Sequence, residues 1–95
     1  MVSQSHLGEI VISRLGRDIN KYYIIVGIEN DSNYVKIADG FIKRIEHPKR
    51  KNIKHLIFTG DVIEELAIWL SKGKRTRNED LKKFIKDYQI NEEAN

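Results

Sequence analysis

The hexapeptide at positions 16–21, Gly-Arg-Asp-Ile-Asn-Lys, lies between two apolar runs that have the composition of β-strands. Its glycine, aspartate and asparagine favour turns, whereas the flanking runs 9–13 and 22–28 are rich in isoleucine, valine and tyrosine. The stretch therefore predicts a strand-turn-strand unit with two basic side chains, Arg17 and Lys21, in a tight turn. Asp18 is expected to accept hydrogen bonds within this turn.

The second run is apolar on both faces of a strand. At a period of two, Tyr22, Ile24, Val26 and Ile28 lie on one face, and Tyr23 with Ile25 on the other. A strand of this kind needs cover on both sides, which the interior of a small barrel and an outer helix would supply.

Further strands are expected on the C-terminal side of this unit. A third strand covers 34–38, Asp39-Gly40 has the composition of a short hairpin turn, and a fourth strand covers 41–46. Pro48 is expected to end that strand because it has no backbone N–H. A crossover at 49–54 then leads into a fifth strand at 53–58. Five short strands in about fifty residues predict a small closed barrel.

The periodicity becomes helical after position 61. Apolar residues recur at helical spacing from Val62 to Leu70, with Thr59 or Asp61 as N-cap and Gly73 as the stop. A second amphipathic helix is expected to begin near Thr76, with Glu79 at capping-box spacing. The fold class is thus mainly β with C-terminal helices. We expect a barrel at 1–59 and a helical extension at 60–95 packed on it as a single structural domain.

Composition narrows the class of protein. The chain has 95 residues and no cysteine, which allows a modest core but no disulfide framework and no thiolate nucleophile. The longest apolar run, at 22–26, is far shorter than the ~18 residues that a membrane span requires. Together with the polar N-terminal residues, this predicts a soluble, cytoplasmic protein without a membrane partner.

Positive charge is concentrated in the β-rich part. Residues 1–58 carry 10 basic and 6 acidic side chains, whereas residues 59–95 carry 7 basic and 8 acidic ones. Within 43–55, six basic residues face a single acid, Glu46. A small β domain with this local charge is suited to a polyanion, although lysines at a sheet edge can also serve only to prevent strand pairing.

The sequence contains no clear motif of an enzyme active site. The three histidines at 6, 47 and 55 lack metal-ligand spacing, and Gly73-Lys74-Arg75-Thr76 lacks the first glycine of a phosphate-binding loop. Adjacent carboxylates at Glu64 and Glu65 would point about 100° apart on a helix, so they do not form an acid-base pair. We expect no catalytic residue, no metal site, no cofactor and no small-molecule substrate.

The turn at 16–21, together with the strands around it and the segment Val35-Lys36-Ile37-Ala38-Asp39-Gly40, resembles the KOW-motif family of RNA-binding proteins. Gly16 matches the first glycine of that motif and Lys21 its basic residue, while Asn20 replaces the second glycine. The segment 48–56 also resembles the basic crossover of short bacterial, ribosomal-protein-related KOW proteins. The resemblance covers residues 7 to about 59. It implies a five-stranded SH3-like barrel that binds ribosomal RNA or the large ribosomal subunit in translation.

Charge and resemblance together give a set of candidate RNA-binding residues in the turn and the basic segment. They are Arg14, Arg17, Lys21, Lys43, Arg44, Lys49, Arg50, Lys51, Lys54 and His55. The expected partner is RNA, with proteins of the large ribosomal subunit as possible additional partners. Two other functions stay open at this point: a protein-interaction adapter that uses the barrel and the helical tail, and a KOW-type transcription-associated factor.

Overall fold

A computed structural model describes residues 6–94, which form one antiparallel sheet and two helices. The strands are β1 (Glu9–Ser13), β2 (Tyr22–Ile28), β3 (Tyr34–Ala38), β4 (Lys49–Asn52) and β5 (Leu56–Val62). The helices are α1 (Glu64–Ser71) and α2 (Asn78–Ala94), and a 3₁₀ turn, Ile53–His55, connects β4 to β5. The prediction of a mainly β fold with two C-terminal helices is confirmed.

The strand order is β4-β3-β2-β1-β5, so β4 and β5 are the two edges of the sheet. No hydrogen-bonded ladder joins these edges in the described part of the chain, and the closed barrel predicted from the sequence is not confirmed. In a flat sheet the edges would lie roughly 19 Å apart, at ~4.8 Å per strand spacing. The chain from Asn52 to Leu56 can reach at most about 15 Å, and less as a 3₁₀ turn. The sheet must therefore curl so that its edges approach each other at this end.

The curled sheet has a buried apolar cluster on each face. The inner cluster contains Val11, Tyr23, Ile25, Val35, Ile37 and Leu56. The outer cluster joins the sheet to the helices through Ile10, Ile24, Ala38, Leu66, Leu81 and Ile85. The expectation that both faces of β2 are covered is confirmed. A bulge between Ile25 and Gly27 moves Ile28 to the inner face, against the simple alternation predicted for it.

The fourth strand predicted at 41–46 is wrong. These residues form an irregular loop because two side chains take up the backbone N–H groups that a ladder would need. Asp39 Oδ1 accepts hydrogen bonds from the N–H groups of Phe41 and Lys43 at 2.9 and 2.8 Å. Asn78 Oδ1 accepts one from the N–H of Ile45 at 2.8 Å. Asp39-Gly40 is therefore an Asx-type turn rather than a two-residue hairpin. The fourth strand of the structure, β4, is instead formed by residues that were predicted to be the crossover at 49–54.

The boundaries of the later elements also differ from prediction. β5 begins three residues later than expected and continues to Val62, so Thr59 is a strand residue whose hydroxyl donates to the carbonyl of Ile10 at 2.7 Å. α1 consequently begins at Glu64 without a side-chain cap. At the start of α2, Asp80 Oδ2 accepts from the N–H of Arg77 at 3.1 Å, in place of the predicted Thr76 and Glu79 pair. Neither helix is long and apolar enough to cross a bilayer within residues 6–94.

The loop at 39–48 is fixed against the first turn of α2. Gly40 has φ +80°, and a Cβ atom at this position would lie 2.2 Å from the carbonyl oxygen of Asn78. The Asn78 side chain reaches the same loop, because its amide also donates to Glu46 Oε1 at 2.7 Å. The close approach of the two backbones therefore requires glycine at position 40.

The substitution Gly40→Ala is expected to be strongly destabilising. The methyl group must both adopt a positive φ, which costs about 1 kcal/mol, and displace the start of α2, which adds roughly 1–3 kcal/mol. The matched control is Gly60→Ala, because Gly60 has φ +83° but no atom within 4 Å of its would-be Cβ. Urea unfolding measures both variants, and equal losses of stability would contradict the described packing.

Candidate nucleic-acid interface

The turn at 16–21 has the left-handed geometry that its sequence favours. Asn20 adopts φ +70° and donates its N–H to the Ser13 carbonyl at 2.7 Å. The N–H of Lys21 donates to the carbonyl of Asp18 at 3.0 Å. Asparagine tolerates this conformation better than other non-glycine residues, so the turn forms without a glycine at position 20.

Asp18 holds the turn to the strands and to the inner face of the sheet. Its Oδ1 accepts from the Ser13 hydroxyl at 2.9 Å, and its Oδ2 accepts from the Tyr23 hydroxyl at 3.0 Å. The ammonium group of Lys51, which is buried, lies 3.8 Å from Asp18 Oδ1. Asp18 therefore connects the turn to β1, β2 and β4.

These contacts set the ionisation of Asp18 and Tyr23. Burial opposes ionisation of Asp18, but hydrogen bonds from Ser13 and Tyr23 and the charge of Lys51 outweigh it, and the pKa of the carboxyl lies below its usual value. Burial, followed by the hydrogen bond to Asp18, raises the pKa of the Tyr23 phenol well above its usual value. Near neutral pH the pair is thus a carboxylate and a neutral phenol.

A depression beside this turn, here termed the basic groove, has a volume of about 350 Å³. It brings together five of the ten predicted residues, Arg17 and Lys21 from the turn and Lys43, Lys49 and Lys51 from the basic segment. Its remaining lining residues are Gly16, Asp18, Tyr23 and Ile42. The two regions that the sequence identified separately are therefore parts of one surface.

The register of β4 explains which of its basic residues line this groove. Lys49 pairs with Ile37 and Lys51 with Val35 across the β3–β4 ladder. Since cross-strand partners share a face, both lysines are on the face of the inner cluster. Arg50 alternates to the opposite face, where its Nε lies 2.8 Å from Glu29 Oε1 and its Cζ lies 3.6 Å from the centroid of the Tyr34 ring.

The other predicted residues lie outside the groove lining. Arg44 Nε is 3.4 Å from Glu46 Oε2, in a separate small depression near the start of α2. Arg14 is exposed and adjoins His55, whose carbonyl accepts the Arg14 N–H at 2.9 Å. Lys54 is exposed on the 3₁₀ turn between β4 and β5. Arg14, Lys54 and His55 thus surround the end of the sheet at which its edges approach.

A second depression, the helix groove, has a volume of about 400 Å³ and lies between the sheet and α2. Lys21 lines both grooves, and Lys82 and Lys86 of α2 extend the positive surface. Neither lysine is among the ten candidate residues that the sequence predicted. Their i, i+4 spacing places them on one side of α2, but only the packing of the helix shows that this side faces Lys21.

No family model matches the chain, and no curated protein matches its sequence. The function must therefore be argued from the grooves themselves. Their lining combines a guanidinium, several ammonium groups and the aromatic side chains of Tyr22, Tyr23 and Phe41, and its positive charge suits a ligand with repeated negative charges.

Replacement of Asp18 by asparagine is expected to cost about 2 kcal/mol at neutral pH, because it removes the charge that compensates Lys51. The folded-state pKa of Asp18 is lowered, so its carboxylate stabilises the native state above the unfolded pKa of about 4. This contribution is lost as the pH falls through the folded-state pKa. The stability of Asp18→Asn should therefore decrease less on acidification than that of the unmodified protein.

Urea unfolding between neutral pH and acid measures this difference, with Asp87→Asn as the control, since Asp87 is an exposed acid on α2. Parallel pH profiles for the unmodified protein and Asp18→Asn would show that Asp18 does not couple to folding.

Proposed function

We propose that the protein is a noncatalytic RNA-binding protein that contacts ribosomal RNA on the large ribosomal subunit through the basic groove. The observation that carries the proposal is the convergence of Arg17 and Lys21 with Lys43 and Lys49 around one depression. Spaced cations around a groove match the regular spacing of backbone phosphates better than they match a single small anion.

The chemistry of the lining supports a backbone contact. Arg17 can donate two parallel hydrogen bonds to one phosphate, while the flexible lysines act as mobile point charges. Asp18 is the acidic member of the lining, and its carboxylate is already engaged by Ser13, Tyr23 and Lys51. The cations of the groove other than Lys51 are therefore left to attract phosphate.

We propose that the fold is an SH3-like barrel of the kind found in KOW proteins, with which the architecture is compatible. The support is a five-stranded antiparallel sheet whose edges are linked by a three-residue 3₁₀ turn, with an apolar cluster inside the curl. A small barrel requires the same curl and the same filled interior. The turn between β1 and β2 would then lie at the RNA surface, as the KOW resemblance implies.

Charge reversal in the groove tests RNA binding. The double variant Arg17→Glu/Lys49→Glu is expected to bind a single-stranded oligouridylate of about 12 nucleotides at least roughly tenfold more weakly at low salt. Its slope of log affinity against log salt should be shallower by about 1.4, since two phosphate contacts are lost and each contributes ~0.7 on a single strand. The control is Lys72→Glu/Lys83→Glu, which makes the same change in net charge at two exposed positions, one directly after α1 and one on α2.

Fluorescence anisotropy at several salt concentrations measures these affinities. The proposal is overturned if the groove variant and the helix variant bind equally, or if the affinity of the unmodified protein does not change with salt. Arg50 is not used in the test, because it is already paired with Glu29 and stacked on Tyr34.

A protein-interaction adapter is the second candidate. It is favoured by exposed apolar side chains away from both grooves, namely Ile57 on β5, Ile68 on α1 and Ile90 on α2. The helices themselves give less support to this function than the sequence suggested, since most of their apolar residues, including Leu66, Leu81 and Ile85, pack on the sheet of the same chain.

Co-sedimentation with purified large ribosomal subunits separates the two functions. We expect the unmodified protein to sediment with the subunits at low salt and the Arg17→Glu/Lys49→Glu variant to remain in the supernatant, because the contact is electrostatic. A pull-down from nuclease-treated extract is the companion measurement. Stoichiometric retention of one protein after nuclease treatment, without co-sedimentation, would favour the adapter, and retention of RNA polymerase would favour the transcription-associated factor.

A further inference from the structure

Phe41 is an aromatic residue that the fold does not bury. Its exposed fraction is 71%, and that of the neighbouring Ile42 is 57%. A strand at 41–46 would have placed one of these side chains in the core, but the loop directs both to solvent. Exposed apolar side chains are individually common, so the significance of Phe41 depends on how it is held and on what surrounds it.

The loop that presents Phe41 is held by several hydrogen bonds. The Phe41 N–H donates to Asp39 Oδ1 at 2.9 Å, and the N–H groups of Asp39 and Gly40 donate to the Lys43 carbonyl at 2.8 and 3.1 Å. The loop is also fixed to α2 through Asn78. The backbone on each side of Phe41 is therefore positioned before any ligand arrives, which lowers the entropy lost on binding.

The surroundings of the ring are basic. Phe41 lines the helix groove with Lys21, Lys82 and Lys86, and the ammonium of Lys82 lies 5.6 Å from the centroid of the ring. Ile42, the next residue, lines the basic groove. The ring thus lies where the two grooves adjoin, and Lys21 contributes to both.

We propose that Phe41 is a stacking platform for an unpaired base of a single-stranded RNA segment whose backbone passes from the helix groove, beside Lys21, into the basic groove. The inference rests on the proposed RNA-binding function and specifies the form of RNA that is bound. Cations on both sides of the ring neutralise successive phosphates, and the ring covers the apolar face of the base between them. Bases inside a duplex are already stacked on one another, so a paired strand cannot make this contact.

The charges around Phe41 favour RNA over an apolar protein surface. A hydrophobic protein partner would have to desolvate the neighbouring ammonium groups of Lys21, Lys82 and Lys86, whereas RNA phosphates compensate them. Asp39 is the acidic residue in the lining of the helix groove, and its Oδ1 is engaged by the N–H groups of Phe41 and Lys43.

The test compares Phe41→Ala with its exposed neighbour, Ile42→Ala, on two probes. One is an oligouridylate of about 12 nucleotides with a central 2-aminopurine, and the other is the same strand paired with its complement. We expect Phe41→Ala to weaken binding of the single strand roughly tenfold without changing the salt slope, and to leave the duplex unaffected. Ile42→Ala should have little effect, and Phe41→Tyr should bind the single strand as the unmodified protein does.

The fluorescence of 2-aminopurine reports stacking directly, and at saturation it does not depend on the affinity of each variant. Saturation with the unmodified protein or with Phe41→Tyr should change the 2-aminopurine fluorescence, and saturation with Phe41→Ala should not. Circular dichroism checks that the variants are folded, as expected for a substitution at an exposed side chain.

The possible outcomes separate the two proposals. If Phe41→Ala binds the single strand like the unmodified protein while Arg17→Glu/Lys49→Glu does not bind, the stacking inference is overturned and RNA binding stands. If neither variant differs from the unmodified protein, both proposals fail. Equal losses on single strand and duplex, or a loss confined to capture of a nuclease-resistant protein partner, would also overturn the stacking inference.

Discussion

The short connection between β4 and β5 determines the shape of the sheet. Three residues in a 3₁₀ turn join strands at opposite edges of a five-stranded sheet, and a flat sheet would hold those edges too far apart. The sheet therefore curls, and the curl encloses the inner apolar cluster around Tyr23 and Ile37. It also turns the inner face of β4 towards the β1–β2 turn, which is how Lys51 comes within 3.8 Å of Asp18.

Much of this architecture could be predicted from local patterns. Tyr22–Ile28 is apolar on both faces, and both faces are covered. Helical spacing identified α1 and α2, and turn-forming residues identified the bend before β2. These features depend on residues close together in the chain, or on the need of any apolar face for cover, so the sequence alone contains them.

The wrong predictions concern segments whose backbone is bound by side chains far away in the sequence. The segment at 41–46 has strand composition, but Asn78, more than thirty residues later, takes the N–H of Ile45 and holds the loop to α2. With the fourth strand placed too early, the alternation of Lys49, Arg50 and Lys51 could not be assigned to faces. The sequence therefore predicted only a set of basic residues for the candidate site. The register of β4 separates them: its lysines line the groove, whereas its arginine is paired with Glu29 on the opposite face. The exposure of Phe41 was missed for the same reason.

The position of Asn78 makes the helical extension part of the candidate interface. Its side chain contacts the loop at 39–48 through both oxygen and nitrogen, so the docking of α2 and the order of that loop form one equilibrium. A ligand that binds only the ordered loop must then also increase the population of the docked helix. Linkage is reciprocal, so docking of the helix in turn increases the affinity for that ligand. A C-terminal helix can in this way set the ligand affinity of a surface on the sheet.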